Sequence, residues 1–139
     1  MDTPPELSAE VKSFLRGWLT SYEQLQTLLL LRQRRDESFS PQAIAEILHA
    51  SDIVAEEALE HLRGVSLVEV SVGSTPRSYK YAPGSIHLSG LVEQLADAWD
   101  RHQLAVMNQM SANAIERVRT GAIRTFADAF VLGKKKTDG

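Results

Sequence analysis

Between Leu67 and Tyr81 the apolar pattern of this chain changes period, and that change restricts its folds more than any other feature. Val68, Val70 and Val72 alternate with Leu67, Glu69 and Ser71, the two-residue repeat of a strand that buries one face. Gly73-Ser74-Thr75-Pro76 supplies turn chemistry, and Ser78-Tyr79-Lys80-Tyr81 alternates again until Pro83-Gly84 stops it. The segment reads as a β-hairpin with Arg77 in its loop.

On both sides of the hairpin the spacing is helical. Val11, Phe14, Leu15, Trp18 and Leu19 make one face of a helix over residues 7–19, with Ser8 as N-cap after Pro4 and Pro5. Ser21 caps a second helix running from Tyr22 to about Arg35, and Gln24, three residues on, can satisfy a backbone N–H in return. Leu25, Leu28, Leu29 and Leu31 face inward there, while Arg32, Arg34 and Arg35 complement the negative end of the helix dipole. Ser40-Pro41 starts a third helix carrying Ile44, Ala45, Ile47 and Leu48. Ser51 caps a fourth, from Asp52 to about Arg63, which buries Ala55, Leu59 and Leu62. Gly64 is expected to end it in the left-handed conformation.

After the hairpin, residues 87–118 read as one long helix. Leu88, Leu91, Val92, Leu95, Trp99, His102, Val106 and Met110 fall on a roughly heptad seam, more than one small domain needs to cover its core. Part of that seam is therefore expected to pack on a second chain. Gly121 marks an expected break, residues 123–132 a last short helix with Phe126 and Phe130, and Lys134, Lys135 and Lys136 a basic tail.

Composition narrows the function classes. At 139 residues, 43% apolar and 24% charged, the chain has the make-up of a single globular domain. It contains no cysteine, which removes disulfides, thiolate metal sites and cysteine nucleophiles. The longest apolar run, Leu28 to Leu31, ends at Arg32, and the acidic N-terminus lacks the basic start of a signal peptide, so no membrane association and a cytoplasmic location are expected. The histidines stand 12 apart (His49, His61) and 15 apart (His87, His102), without metal-ligand spacing. No nucleotide-binding or hydrolase fingerprint is present, so neither a cofactor nor catalysis is expected. The net charge of −3 conceals an asymmetry: residues 1–100 hold 8 Lys/Arg against 15 Asp/Glu, and residues 101–139 hold 7 against 3. Two surfaces of opposite sign suit different partners.

The segment SPQAIAEILHASDIVAEEALEHLRGVSLVEV, followed by LVEVSVGSTPRSYKYAP, resembles the helix-turn-helix and wing of a bacterial winged-helix transcriptional regulator. The resemblance spans residues 21–83 and implies a mainly α fold with a small β-hairpin, a winged helix-turn-helix followed by a long C-terminal helix. The division it implies is an N-terminal helix over 1–20, a winged-helix domain over 21–85, a dimerising helix over 86–120, and a short helix with basic tail over 121–139. It also implies a regulator that binds DNA as a homodimer, its fourth helix in the major groove and its wing on phosphate. Carried onto this chain, the DNA-binding cations are Arg63, Arg77 and Lys80, and the dimerising residues are Leu88, Leu91, Leu95, Trp99 and Val106.

The residues of the fourth helix pull in another direction. With Ala55, Leu59 and Leu62 inside, its outward positions are Asp52, Ile53, Glu56, Glu57 and Glu60. Phosphates repel carboxylates, and DNA affinity rests largely on Lys and Arg. The alternative is therefore a winged-helix interaction module without DNA binding, which presents Asp52, Glu56, Glu57 and Glu60 to a basic protein partner.

Overall fold

A computed structural model describes residues 7–137 except 72, 74 and 75, with side chains described as far as residue 129. Val72 and the Ser74-Thr75 part of the expected turn lie outside the described residues, as do the flanking prolines Pro4 and Pro5. The elements are α1 (Ala9–Gly17), α2 (Tyr22–Gln33), α3 (Pro41–Leu48), α4 (Asp52–Gly64), β1 (Val68–Val70), β2 (Tyr79–Tyr81), α5 (Ile86–Arg101) and α6 (Gln103–Thr137).

Serine hydroxyls fix the helix starts. Ser8 accepts from Val11 N, Ser21 from Gln24 N, Ser40 from Ala43 N and Ser51 from Val54 N, all at 3.1 Å. Ser85 repeats the device for α5, accepting from Leu88 N at 3.0 Å. Each such cap is worth about 1 kcal/mol against alanine. The side chain of Gln24 reaches one residue past its cap, accepting from Thr20 N and donating to Thr20 Oγ1, which pins the α1–α2 corner.

Helix ends depart from expectation. Gly64 is the last helical residue of α4, and Ser66 takes the left-handed conformation instead, at φ 63°. The reason lies in the hydrogen bonds: Leu67 N donates back to Leu62 O at 2.9 Å, closing the helix one residue beyond the glycine. Gly84 then donates to Ser66 O, and a Cβ at position 84 would stand 3.1 Å from the Ser66 Cβ, so a side chain there would have to push Ser66 aside by a few tenths of an ångström. His49, also left-handed (φ 56°, ψ 44°), closes α3 through Ala50 N to Ala45 O at 2.9 Å.

The long helix expected over 87–118 is two helices. His102 breaks it at φ −139°, ψ 51°, while its own N–H still closes α5 on Ala98 O. One straight helix of that span would be about 48 Å long and would carry one of its ends off the core. With the break, Leu88, Val92 and Leu95 of α5 and Val106 and Met110 of α6 all reach the same core. Gly121, expected to break the chain, lies within α6, and residues 123–132 continue that helix rather than forming their own.

β1 and β2 pair antiparallel, Val68 opposite Tyr81, Glu69 opposite Lys80 and Val70 opposite Tyr79. Phe39 adds an isolated bridge to β2, exchanging both backbone hydrogen bonds with Tyr79 at 2.8 Å. α2 packs on α3, α4 and β2, whereas α1 packs on α5 and α6. One core joins both groups, from Phe14 and Leu15 through Leu28, Ile44, Leu59 and Tyr79 to Leu95 and Val106. Among the described residues no helix is long and apolar enough to cross a membrane.

Candidate nucleic-acid interface

α3, the turn at His49-Ala50-Ser51, and α4 form a helix-turn-helix, with the β1–β2 hairpin following as a wing. Ala55, Ala58, Leu59 and Leu62 of α4 are buried, which turns Asp52, Ile53, Glu56 and Glu57 to solvent. The C-terminal half of α4 is fastened on two sides. His61 Nε2 lies 2.8 Å from Trp18 O, tying the helix to the end of α1. On its other flank Glu60 binds both its own helix and the wing.

Glu60 and Arg63, which the sequence assigns to opposite roles, are bound to each other. Glu60 Oε1 accepts from Arg63 Nε at 3.0 Å and from the terminal guanidinium nitrogen Nη2 at 2.8 Å. Its Oε2 accepts from the Tyr79 hydroxyl at 2.5 Å. Arg63 and then Tyr79 hold the Glu60 carboxyl below its usual range, and the positive charge of Arg77 acts in the same direction. Burial, reinforced by donation to Glu60, pushes the Tyr79 phenol up. Glu60 is therefore a latch between α4 and β2, and the charges of Glu60 and Arg63 compensate each other.

The remaining site residues are not bound into the latch in the same way. Arg77 is exposed at the base of the hairpin loop, and its guanidinium acts on both Tyr79 and Glu60. Lys80 points away from the buried Tyr79 and Tyr81, because successive strand residues face opposite sides, and Glu69 stands opposite it across the ladder. Asp52 is at the far end of α4 from Glu60 and Arg63. Tyr79 is not among the residues that the sequence singles out, since nothing local to it points to a partner 19 positions earlier. Arg34 and Arg35, read only as helix-end charges, lie over aromatic rings, 6.0 Å from the centroid of Phe39 and 5.8 Å from that of Tyr81.

Of the residues assigned to dimerisation, Leu88, Leu95 and Val106 are buried in the chain's own core, with Leu91 and Trp99 half-buried against it. On α6 the exposed large apolar side chains include Leu104 near its start and, beyond Val106, Ile115, Val118, Ile123 and Phe126.

No protein-family model matches this chain, and no curated protein matches its sequence. Solved structures do match. The Staphylococcus aureus MepR–DNA complex superposes with a TM-score of 0.53 at 18% identity, over 86% of this chain and 87% of that one. A MepR mutant from a multidrug-resistant S. aureus clinical isolate gives 0.52 at 18%, over 86% of each chain. MepR described as a transcription regulator of the multidrug efflux pump MepA gives 0.50 at 18%, over 86% of this chain and 90% of that one. At such identities the likeness is one of fold: the chain has the winged helix-turn-helix fold of these regulators, including the flanking α1, α5 and α6.

Proposed function

We propose that this chain is a DNA-binding transcription regulator of the bacterial cytoplasm that acts as a homodimer and performs no catalysis. The observation that carries the reading is the Glu60 latch, because it holds the helix-turn-helix and the wing as one surface. A reading helix and a wing must meet the duplex together, and a rigid link sets their spacing before binding. The overall fold is that of MepR, a protein solved on DNA.

In this reading α4 enters the major groove and Arg77 meets backbone phosphate. Lys80 makes a weaker contact, since Glu69 opposes it. Arg63 keeps its position through Glu60 and presents the rest of its guanidinium. The second copy docks on the open face of α6, where Val118 is 73% exposed and Phe126 74%. Two-fold symmetry then sets the two α4 helices about one DNA turn, roughly 34 Å, apart.

Binding to mixed-sequence duplex, followed by fluorescence anisotropy across a salt series, tests the proposal. Affinity should fall steeply with salt, and each phosphate-contacting cation removed should flatten the log–log slope by about 0.9. Arg77→Glu should weaken binding more than Lys80→Glu. Absence of salt-sensitive binding by folded protein would sink the reading.

One observation favours a second reading. The exposed part of α4 carries Asp52, Glu56 and Glu57 and no cation before Arg63. As a protein-docking surface it would take a basic partner, and Glu56→Lys with Glu57→Lys would abolish that complex while leaving any DNA affinity intact or raised.

A further inference from the structure

Resting on the regulator reading above, we infer that α4 reads DNA as a surface of acceptors only, with Glu56 and Glu57 selecting cytosine and Ile53 an adjacent thymine. The argument begins with what each side chain is free to do. Glu60 is occupied by Arg63 and Tyr79, so it cannot turn to a base edge without breaking the latch. Glu56 and Glu57 remain exposed on the outward side of the helix. Ile53 is 70% exposed, one helical turn before them. Residues three and four apart share a helix face, so Ile53 is a neighbour of both carboxylates.

An ionised carboxylate only accepts hydrogen bonds. In the major groove guanine offers two acceptors and thymine a carbonyl oxygen beside its methyl. Adenine has an amino donor, but its N7 acceptor stands next to it and repels a carboxylate. Cytosine alone presents an amino group and no acceptor. A helix whose central groups are carboxylates is therefore selective for cytosine on the strand it faces. Ile53 carries no polar atom, and on a helix seated in the groove it would face the neighbouring base, where the complementary feature is the thymine methyl. The same charges oppose binding to phosphate, so this helix supplies selectivity while Arg77 and Lys80 of the wing supply affinity.

The test is selection of duplexes from a randomised library by the full-length protein at low salt, followed by sequencing. The retained pool should carry a cytosine beside a thymine in each half-site, and replacing that cytosine should weaken binding about tenfold or more. Glutamine reads adenine through its paired amide donor and acceptor. Glu56→Gln or Glu57→Gln should therefore move the preference at that position from cytosine to adenine, with the salt slope unchanged. Ile53→Ala should relax the thymine preference alone. A retained pool without the cytosine preference, or one that both glutamine variants leave unaltered, overturns the base assignment and leaves the regulator reading standing. If no duplex is retained, although circular dichroism shows the protein folded, both fall together.

Discussion

Val106 and Val118 are the same residue on the same helix, yet Val106 is fully buried and Val118 is 73% exposed. The difference lies in what each half of α6 meets. α1 and α5 lie against its first turns, so Val106 and Met110 join the core with Val11, Phe14 and Leu95. Arg117, whose guanidinium donates to Thr20 O at 2.8 Å, reaches back to the α1–α2 corner, and every described side chain from Ala114 to Ala129 is exposed. An apolar stripe thus records that a face will be covered; it does not record by what. The first half is covered by its own chain, and the second is the face on which the proposed second copy would close.

That contrast can be broken by placing the same charge at both positions. Val106→Asp buries an unpaired carboxylate and should cost about 4 kcal/mol or more, enough to leave little folded protein. Thermal unfolding followed by circular dichroism reads this directly. A variant that melts within a few degrees of the parent would mean that the α1–α6 packing carries much less of the stability than its burial indicates.

Val118→Asp should behave differently. In the isolated protomer the position is solvated, so its intrinsic cost is within about 0.5 kcal/mol. The expected loss is of assembly: molar mass by light scattering should halve, and the melting temperature should stop rising with protein concentration. Parent protein of monomeric mass would remove the α6 face from the proposal.

The covered half belongs to a body held by two carboxylates, which gives a pH test. Glu93 accepts from Arg32 at 2.6 and 2.9 Å and lies 3.5 Å from Arg35, joining α5 to α2 as Glu60 joins α4 to β2. The hydrogen bond from Arg32 holds Glu93 below the usual carboxylate value, as Arg63 holds Glu60. A carboxyl lowered in the folded state binds fewer protons there than when unfolded. Its contribution is complete above the ordinary value of 4.5 and is lost as pH falls through the lowered one. Stability should therefore decline on acidification below about pH 4.5, and Glu60→Gln and Glu93→Gln should each flatten that decline. The effects should be additive, since the two share no partner, and modest, since both side chains are partly solvated. Denaturant titrations at several pH values measure both.

How much was legible follows the same line between local and distant causes. Ser8, Ser21, Ser40 and Ser51 were readable as caps because a cap needs only a hydroxyl and the next turn of backbone. The wing was readable because alternation is a property of successive residues. The left-handed residues at His49 and Ser66 were not, because backbone hydrogen bonds, rather than a glycine, placed them. The break at His102 was hidden by a seam that continues across it in register. Glu60 could be seen as outward-facing from the helix period alone; its capture by Tyr79 depends on where β2 returns, and the Arg32–Glu93 pair spans 61 positions. The candidate cations were found by type, and only the fold shows Arg63 latched to Glu60, Lys80 opposite Glu69, and Arg77 exposed beside the Tyr79–Glu60 pair.

The smallest expected effect sharpens the boundary between the two halves of α6. Arg117→Ala removes the hydrogen bond to Thr20 O, and at an exposed site that should cost about 1 kcal/mol or less. Global unfolding will barely register it, so hydrogen exchange is the better measurement. If Arg117 marks where the body stops supporting α6, its loss should raise exchange at the α1–α2 corner and in the turn of α6 around Asn113. Amides near Val106 should be unchanged. Beyond Gly121, protection above that of the helix itself should depend on protein concentration and not on Arg117, because every described side chain there is exposed. Equal protection along all of α6 in dilute protein would show that the distal half needs no partner, and the contrast between Val106 and Val118 would then be one of burial alone.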